Sequence, residues 1–139
     1  MDCVFCKIVK GGKEPAYVVY EDEHVIAILD KYPISKGHTL VMPKRHYRDI
    51  TEIPSDELCH VIRVTKAVTM AVIKALNVPG VRIIQNNGAE AGQVIFHIHF
   101  HVIPMTGRIA GRHYLTEEEG REVSELLSKA VKEVLSSMS

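Results

Sequence analysis

No stretch of this 139-residue chain approaches the ~20 consecutive apolar residues needed to span a bilayer, which argues against a membrane helix. The opening run Met1-Asp2-Cys3-Val4-Phe5-Cys6-Lys7 lacks a basic region followed by an apolar core, so it does not read as a secretory signal. Excess charge is also missing. Lys plus Arg is 17 and Asp plus Glu is 17, which removes the electrostatic case for binding bulk nucleic acid. A small anion stays open, because backbone N–H groups and a few side chains can hold one phosphate. Low-complexity tracts, internal repeats and linkers are absent, and a composition 46% hydrophobic and 24% charged suits one globular domain over residues 1–139. Three cysteines, an odd number, do not make a disulfide scaffold. Reduced thiols and no membrane segment together predict a soluble, cytoplasmic protein.

Hydrophobic periodicity predicts antiparallel strands plus helices, an α+β fold rather than a doubly wound sheet. Strands are expected at 17–21, 24–29, 38–42, 81–85 and 94–103, with turns at Gly11-Gly12 and at Glu21-Asp22-Glu23. Between 55 and 76 the period changes to about 3.6 residues. Leu58, Val61, Ile62, Thr65, Val68, Met70, Val72, Ile73 and Leu76 mark a long helix with Ser55 as its expected cap. Cys59 lies on it and reads as a small buried residue. A last helix opens at Thr116 with three glutamates and turns Val123, Leu126, Leu127, Ala130, Val131 and Val134 to one side.

The fifth strand carries the chemistry. His97, His99 and His101 alternate with Ile98, Phe100 and Val102, so an extended chain gathers three imidazoles on one face. Solubility alone would be served by Ser, Thr, Lys or Glu. Three imidazoles can bind a catalytic metal, or they can divide the work of nucleophilic attack, orientation and leaving-group protonation. Cys3-x-x-Cys6 can chelate a metal or form a redox pair, but it precedes any strand, which disfavours a thioredoxin-like role. A zinc site would need two more ligands from distant segments. Asn86 to Gln93, an Asn/Gly loop just before the histidines, suits a phosphate nest.

The heptad from His97 to Ile103 resembles the signature of the histidine-triad (HIT) superfamily. Cys3-Val4-Phe5-Cys6-Lys7-Ile8, Val19-Tyr20-Glu21-Asp22, Gly37 through His46 and Asn86 through Gln93 fall in that family's order and spacing. The resemblance covers residues 1–105, and the extension 106–139 is more individual. It implies a two-fold homodimer, each subunit with a five-stranded antiparallel sheet, a long helix and a C-terminal helix. It also implies hydrolysis or transfer at a nucleotide α-phosphate, on phosphoramidates or diadenosine polyphosphates of adenosine.

In that likeness His99 is the nucleophile and His101 bonds the phosphate or leaving group. Asn86, Gly92, Gln93 and the Val94 N–H hold phosphate oxygens. Many relatives have Ser or Thr where Val94 stands, so one hydroxyl is missing from the cradle. Asp30 matches the carboxylate that holds the ribose, and Val4, Phe5, Ile8, Ile28, Leu29 and Leu40 match the walls around a base, a purine by preference. Cys3, Cys6, His46 and His97 match the ligands of a structural zinc with no open position. His38 matches a histidine that supports the triad by hydrogen bonding, while His24, His60 and His113 read as surface or helix-face residues. Two rival readings remain: a nucleotide-binding regulator without turnover, and a zinc-dependent hydrolase.

Overall fold

The computed structural model describes residues 3–11, 14–107 and 112–138, so Gly12 of the expected turn lies outside the described residues. In chain order the elements are α1 (Val4–Val9), β1 (Val18–Glu21), β2 (Val25–Leu29), β3 (Thr39–Pro43), α2 (Ser55–Leu76), β4 (Gly80–Ile84), β5 (Phe100–Met105) and α3 (Glu117–Ser137). The five strands form one antiparallel sheet in the order β1-β2-β3-β5-β4. The expected α+β architecture is what the chain adopts.

Strand alternation divides the core in two. Val25, Ala27, Leu29, Val41, Phe100 and Val102 face α2 and α3 and build the main core with Val61, Val64, Val68, Val72, Leu127 and Val131. Ile26, Ile28, Leu40 and Met42 face the other way, where Cys3 and Phe5 pack against them. Among the described residues, one face of the sheet therefore carries two long helices and the other only the short α1, which leaves room beside it. Ile28 pairs with Leu40, Leu40 with His101, and His101 with Ile84, so one transverse row of the sheet runs from apolar residues to an imidazole.

The helices depart from expectation in detail. α1 has no counterpart in the sequence reading, being six residues too short to show a period. Ser55 is the first residue of α2 rather than its cap; Pro54 holds the cap position, without a side-chain hydrogen bond. Val61, Val64, Thr65, Val68, Ala71 and Val72 form the buried stripe of α2. Cys59, Ile62, Met70 and Ile73 follow a neighbouring stripe at helical spacing and are exposed, so Cys59 is not a core residue. Leu126 of α3 is exposed for the same reason. Thr116 does cap α3, through a capping box in which its side chain accepts from the Glu119 N–H and Glu119 answers the Thr116 N–H.

The histidine strand is shorter than expected. It begins at Phe100 and runs through Pro104 to Met105, so His97 and His99 precede it. β3 pairs with β5 only as far as Val41 with Phe100. Further pairing would meet Pro43, which has no N–H to offer. The chain before Phe100 bonds elsewhere: Ile98 N–H donates to the Tyr47 carbonyl at 2.8 Å. The alternation survives, because Ile98, Phe100 and Val102 all enter the main core.

Candidate functional site

Cys3, at the start of α1, Cys6 within it, His46 after β3 and His97 before β5 converge, with one donor atom of each within 4.8 Å of the others. Cys3 Sγ lies 3.5 Å and Cys6 Sγ 3.6 Å from His97 Nδ1, and Cys6 Sγ lies 3.3 Å from His46 Nδ1. In tetrahedral zinc with Zn–S near 2.3 Å and Zn–N near 2.0 Å, such S···N edges measure about 3.5 Å. The fully buried His97 donates Nε2–H to the Pro43 carbonyl at 2.7 Å, which leaves the Nδ1 lone pair facing the sulfurs. Burial and the neighbouring Cys3 sulfur push the Cys6 thiol up, a cost that a cation between the sulfurs would reverse. The donor set fits a closed structural zinc site.

His99 is not in that cluster. Its Nδ1 lies 2.7 Å from the His97 carbonyl oxygen, an acceptor only, so Nδ1 carries the proton and Nε2 carries the lone pair. Phe5 sets its edge against the ring, with centroids 5.0 Å apart at 79°. Burial holds His99 below the usual histidine range, so the imidazole is neutral at pH 7. His99 and His101 stand at one end of a cavity of about 400 Å³.

His101 receives its tautomer through a chain of bonds. The Ile34 N–H donates to His38 Nδ1 at 3.1 Å, so the proton of His38 is on Nε2. That Nε2–H faces His101 Nδ1 at 3.0 Å and Asp30 Oδ2 at 3.5 Å. His101 Nδ1 therefore accepts, and Nε2 of His101 carries a proton. Burial lowers His38 to about 4 and lowers His101 as well, which keeps both rings neutral. Asp30, His38 and His101 also place donor atoms close enough for an ion. The Ile34 N–H opposes that role, because a His38 bound to metal through Nε2 would turn a second N–H toward it. The trio is a proton-ordering chain.

The cavity is lined by Val4, Phe5, Ile8, Ile28, Leu29, Asp30, Leu40, Asn86, Gly92 and Val94 as well as the two imidazoles. Every nucleoside-wall residue named from the sequence is present. Gln93 is not among the lining residues. Its buried side chain accepts the Gly88 N–H at 2.8 Å and donates to the carbonyls of Arg48 at 2.7 Å and Ile95 at 3.1 Å, so it braces the loop from beneath. The Gly92 and Gln93 N–H groups are used inside the loop, on the Ala89 and Gly88 carbonyls. Gly92 adopts φ +94°, open to glycine and strained for other residues, and a Cβ there would sit 3.7 Å from Asn86 Nδ2. Val94 is 83% exposed at the cavity mouth.

Four lining residues escaped sequence reasoning: Glu14, Ala16, Lys31 and Ile95. Ile95 packs against the Ile26–Met42 cluster, and its place one residue from the histidines was the available signal. Glu14 and Lys31 carry no sequence signal, since isolated charges are the rule on surfaces. His60 does more than cover a helix face: its Nε2 lies 2.7 Å from Asp22 Oδ2, tying α2 to the β1–β2 turn.

The sequence profile described as the HIT domain matches residues 12–108. An uncharacterized HIT-like protein of Methanocaldococcus jannaschii is 55% identical over 102 residues, covering 73% of this chain and 78% of its own. Adenylylsulfatase HINT3 of Arabidopsis thaliana is 42% identical over 107 residues, covering 77% of this chain and 54% of its own. A crystal structure described as a Zn-bound histidine triad family protein from Mycobacterium smegmatis superposes with a TM-score of 0.87 at 37% identity, covering 99% of both chains.

Proposed function

Because this chain belongs to the HIT domain family, we propose that it is a hydrolase of purine nucleoside 5′-phosphoryl bonds, acting through a covalent nucleotidyl-His99 intermediate. Adenosine phosphoramidates and diadenosine polyphosphates are the substrate types to which the reading extends. The observation that carries it is the bond from His99 Nδ1–H to the His97 carbonyl, which leaves Nε2 with a lone pair at the end of an apolar cavity. The plant relative's name, an adenylylsulfatase, supports an adenylyl group as one that this framework can accept.

In the first step the Nε2 lone pair of His99 forms a bond to the α-phosphorus while the bond to the leaving group breaks. The positive charge that develops on the ring is stabilised through Nδ1–H by the His97 carbonyl. A proton taken up by His101 with the anionic substrate passes from its Nε2 to the leaving nitrogen or oxygen, so that His101 ends the step neutral. Water then attacks the same phosphorus, its proton returns to His101 Nε2, and the P–N bond to His99 breaks to release a nucleoside monophosphate. Asn86 Nδ2 and the Val94 N–H hold the phosphate oxygens, with Gly92 allowing close approach and Gln93 fixing the loop. Asp30 takes the ribose hydroxyls. The walls Val4, Phe5, Ile8, Ile28 and Leu40 enclose the base, while the Leu29 side chain belongs to the main core behind the sheet.

Cys3, Cys6, His46 and His97 hold zinc in this reading, as the description of the mycobacterial structure suggests. With four protein ligands the ion has no open position and supplies stability rather than Lewis acidity. The chain works as a homodimer. Support comes from the unpaired edge of β4, with Ile83 exposed, beside the exposed stripe Ile62, Met70 and Ile73 on α2. Cavity size and neutral net charge fit a small nucleotide rather than a nucleic acid, and reduced thiols suit the cytoplasm.

The test is a substrate panel of adenosine 5′-phosphoramidate and diadenosine tetraphosphate, with mass spectrometry of quenched protein. One nucleotidyl group on the peptide containing His99 is expected, and it is lost in His99→Ala. Normal turnover by His99→Ala would overturn the reading.

A further inference from the structure

Two of the cavity residues that sequence reasoning missed, Glu14 and Lys31, are charged, as Asp30 is, and stand with it among largely apolar walls. Glu14 belongs to the segment that leads into β1, and Lys31 directly follows Asp30 at the end of β2. The Tyr17 carbonyl accepts the Leu29 N–H at 3.0 Å, so the segment from Glu14 to Tyr17 runs along the outer side of β2. β3 separates β2 from β5. At ~4.8 Å per strand, that outer edge is about 14 Å from the strand bearing His101. Across the sheet, His101 stands on β5, the walls Leu40 and Ile28 on β3 and β2, and Glu14 beyond β2, while Lys31 follows Asp30 directly at the end of β2.

We propose that Glu14 and Lys31 read the hydrogen-bonding edge of the base, and that the preferred substrate carries guanine. The inference rests on the nucleoside reading of this cavity and adds its base selectivity. Apolar walls grip the faces of a ring and are indifferent to its edges. Discrimination falls to the polar groups that stand with them. An ionised carboxylate offers acceptors only and an ammonium offers donors only. Guanine presents adjacent N1–H and N2–H₂ donors, which suit a carboxylate, and O6 and N7 acceptors, which suit an ammonium. Adenine presents one amino donor beside the N1 acceptor, and that lone pair repels a carboxylate. Glu14 is half-buried and Lys31 exposed, so the contrast is moderate, about tenfold, or roughly 1.4 kcal/mol.

Two measurements on the full chain test this. The first is kcat/KM for the 5′-phosphoramidates of guanosine, inosine and adenosine. The second is the equilibrium affinity for GMP and AMP, which needs no turnover. Guanosine is expected first, inosine second because it keeps N1–H and O6, and adenosine last. In Glu14→Gln the guanosine-to-adenosine ratio drops several-fold, and in Glu14→Ile it falls to near one in both measurements. A native preference for adenosine, or a ratio that ignores both substitutions, overturns the inference. Absence of turnover with the GMP preference intact would instead overturn the hydrolase reading and leave base recognition standing.

Discussion

His97 and His99 are joined by one bond whose two ends serve different centres. The ring of His97 belongs to the Cys–His cluster, while its carbonyl holds His99 Nδ1 at 2.7 Å. The orientation of the proposed nucleophile thus depends on a residue fixed from behind by Pro43 and from the side by two sulfurs.

The pH dependence of the reaction should reflect this burial. A buried His99 takes a proton less readily than a free histidine, so the attacking lone pair persists below the ordinary pKa of about 6.5. The acid limb of kcat/KM is expected below pH 6.5. A limb at or above pH 7 would contradict a neutral, desolvated nucleophile.

Loss of His38 should divide substrates by leaving group. His38 touches His101 rather than the proposed reacting atoms, and it orders the proton on His101 Nε2. In His38→Ala, turnover of a phosphoramidate, whose amine must be protonated, should fall about tenfold to a hundredfold. A nitrophenyl ester of the same nucleotide, whose leaving group needs no proton, should fall only a few-fold. Equal losses on both would make His38 a packing residue.

Metal removal should be read as a stability change. One zinc per chain is expected by elemental analysis, and chelation should lower the melting temperature by roughly 10 °C. Cys6→Ser should reproduce both losses in the absence of chelator. Full zinc content in Cys6→Ser would remove the proposed site.

Subunit association should fail when the exposed stripe of α2 is charged. Ile73→Glu places a carboxylate among Met70 and Ile62. Light scattering should report a dimer for the native chain and a monomer for the variant, with unchanged far-ultraviolet circular dichroism. A monomeric native chain would end the dimer proposal.

Acid should destabilise the fold between the histidine pKa values of its two states. Folded His38 protonates near 4, unfolded His38 near 6.5. Below 6.5 the unfolded chain binds the extra proton, so stability is lost as pH falls toward 4, on the order of 3 kcal/mol from this group. Denaturant titrations at pH 7.5 and 4.5 on native protein and His38→Gln check it: the variant should lose less.

Strand alternation was legible in sequence because a half-buried strand writes its two faces at period two. Ile98, Phe100 and Val102 against the histidines is the case in point, whereas Val25–Leu29 is apolar and buried at every position and shows no such alternation. The walls of the cavity came from family likeness, since Val4, Phe5 and Ile8 lie on α1 and show no strand pattern. α1 was not legible, since six residues give no helical period. The end of pairing at Phe100 depends on Pro43, fifty-seven positions earlier in the chain, and no local window contains both. Cys59 was misjudged because a helix may carry a wider apolar stripe than its own core uses. Gln93 shows a further limit: residue type marked it as polar and near the phosphate loop, but only coordinates reveal that both ends of its amide are occupied.

Ile28, Leu40 and His101 come from three different strands yet stand in one line across the sheet. A slip of a single residue in any of those pairings would turn its member from the cleft to the helical side. Chain length in the connecting loops is free to drift over evolutionary time, whereas an insertion inside β2, β3 or β5 would scramble the cleft even if the domain still folded.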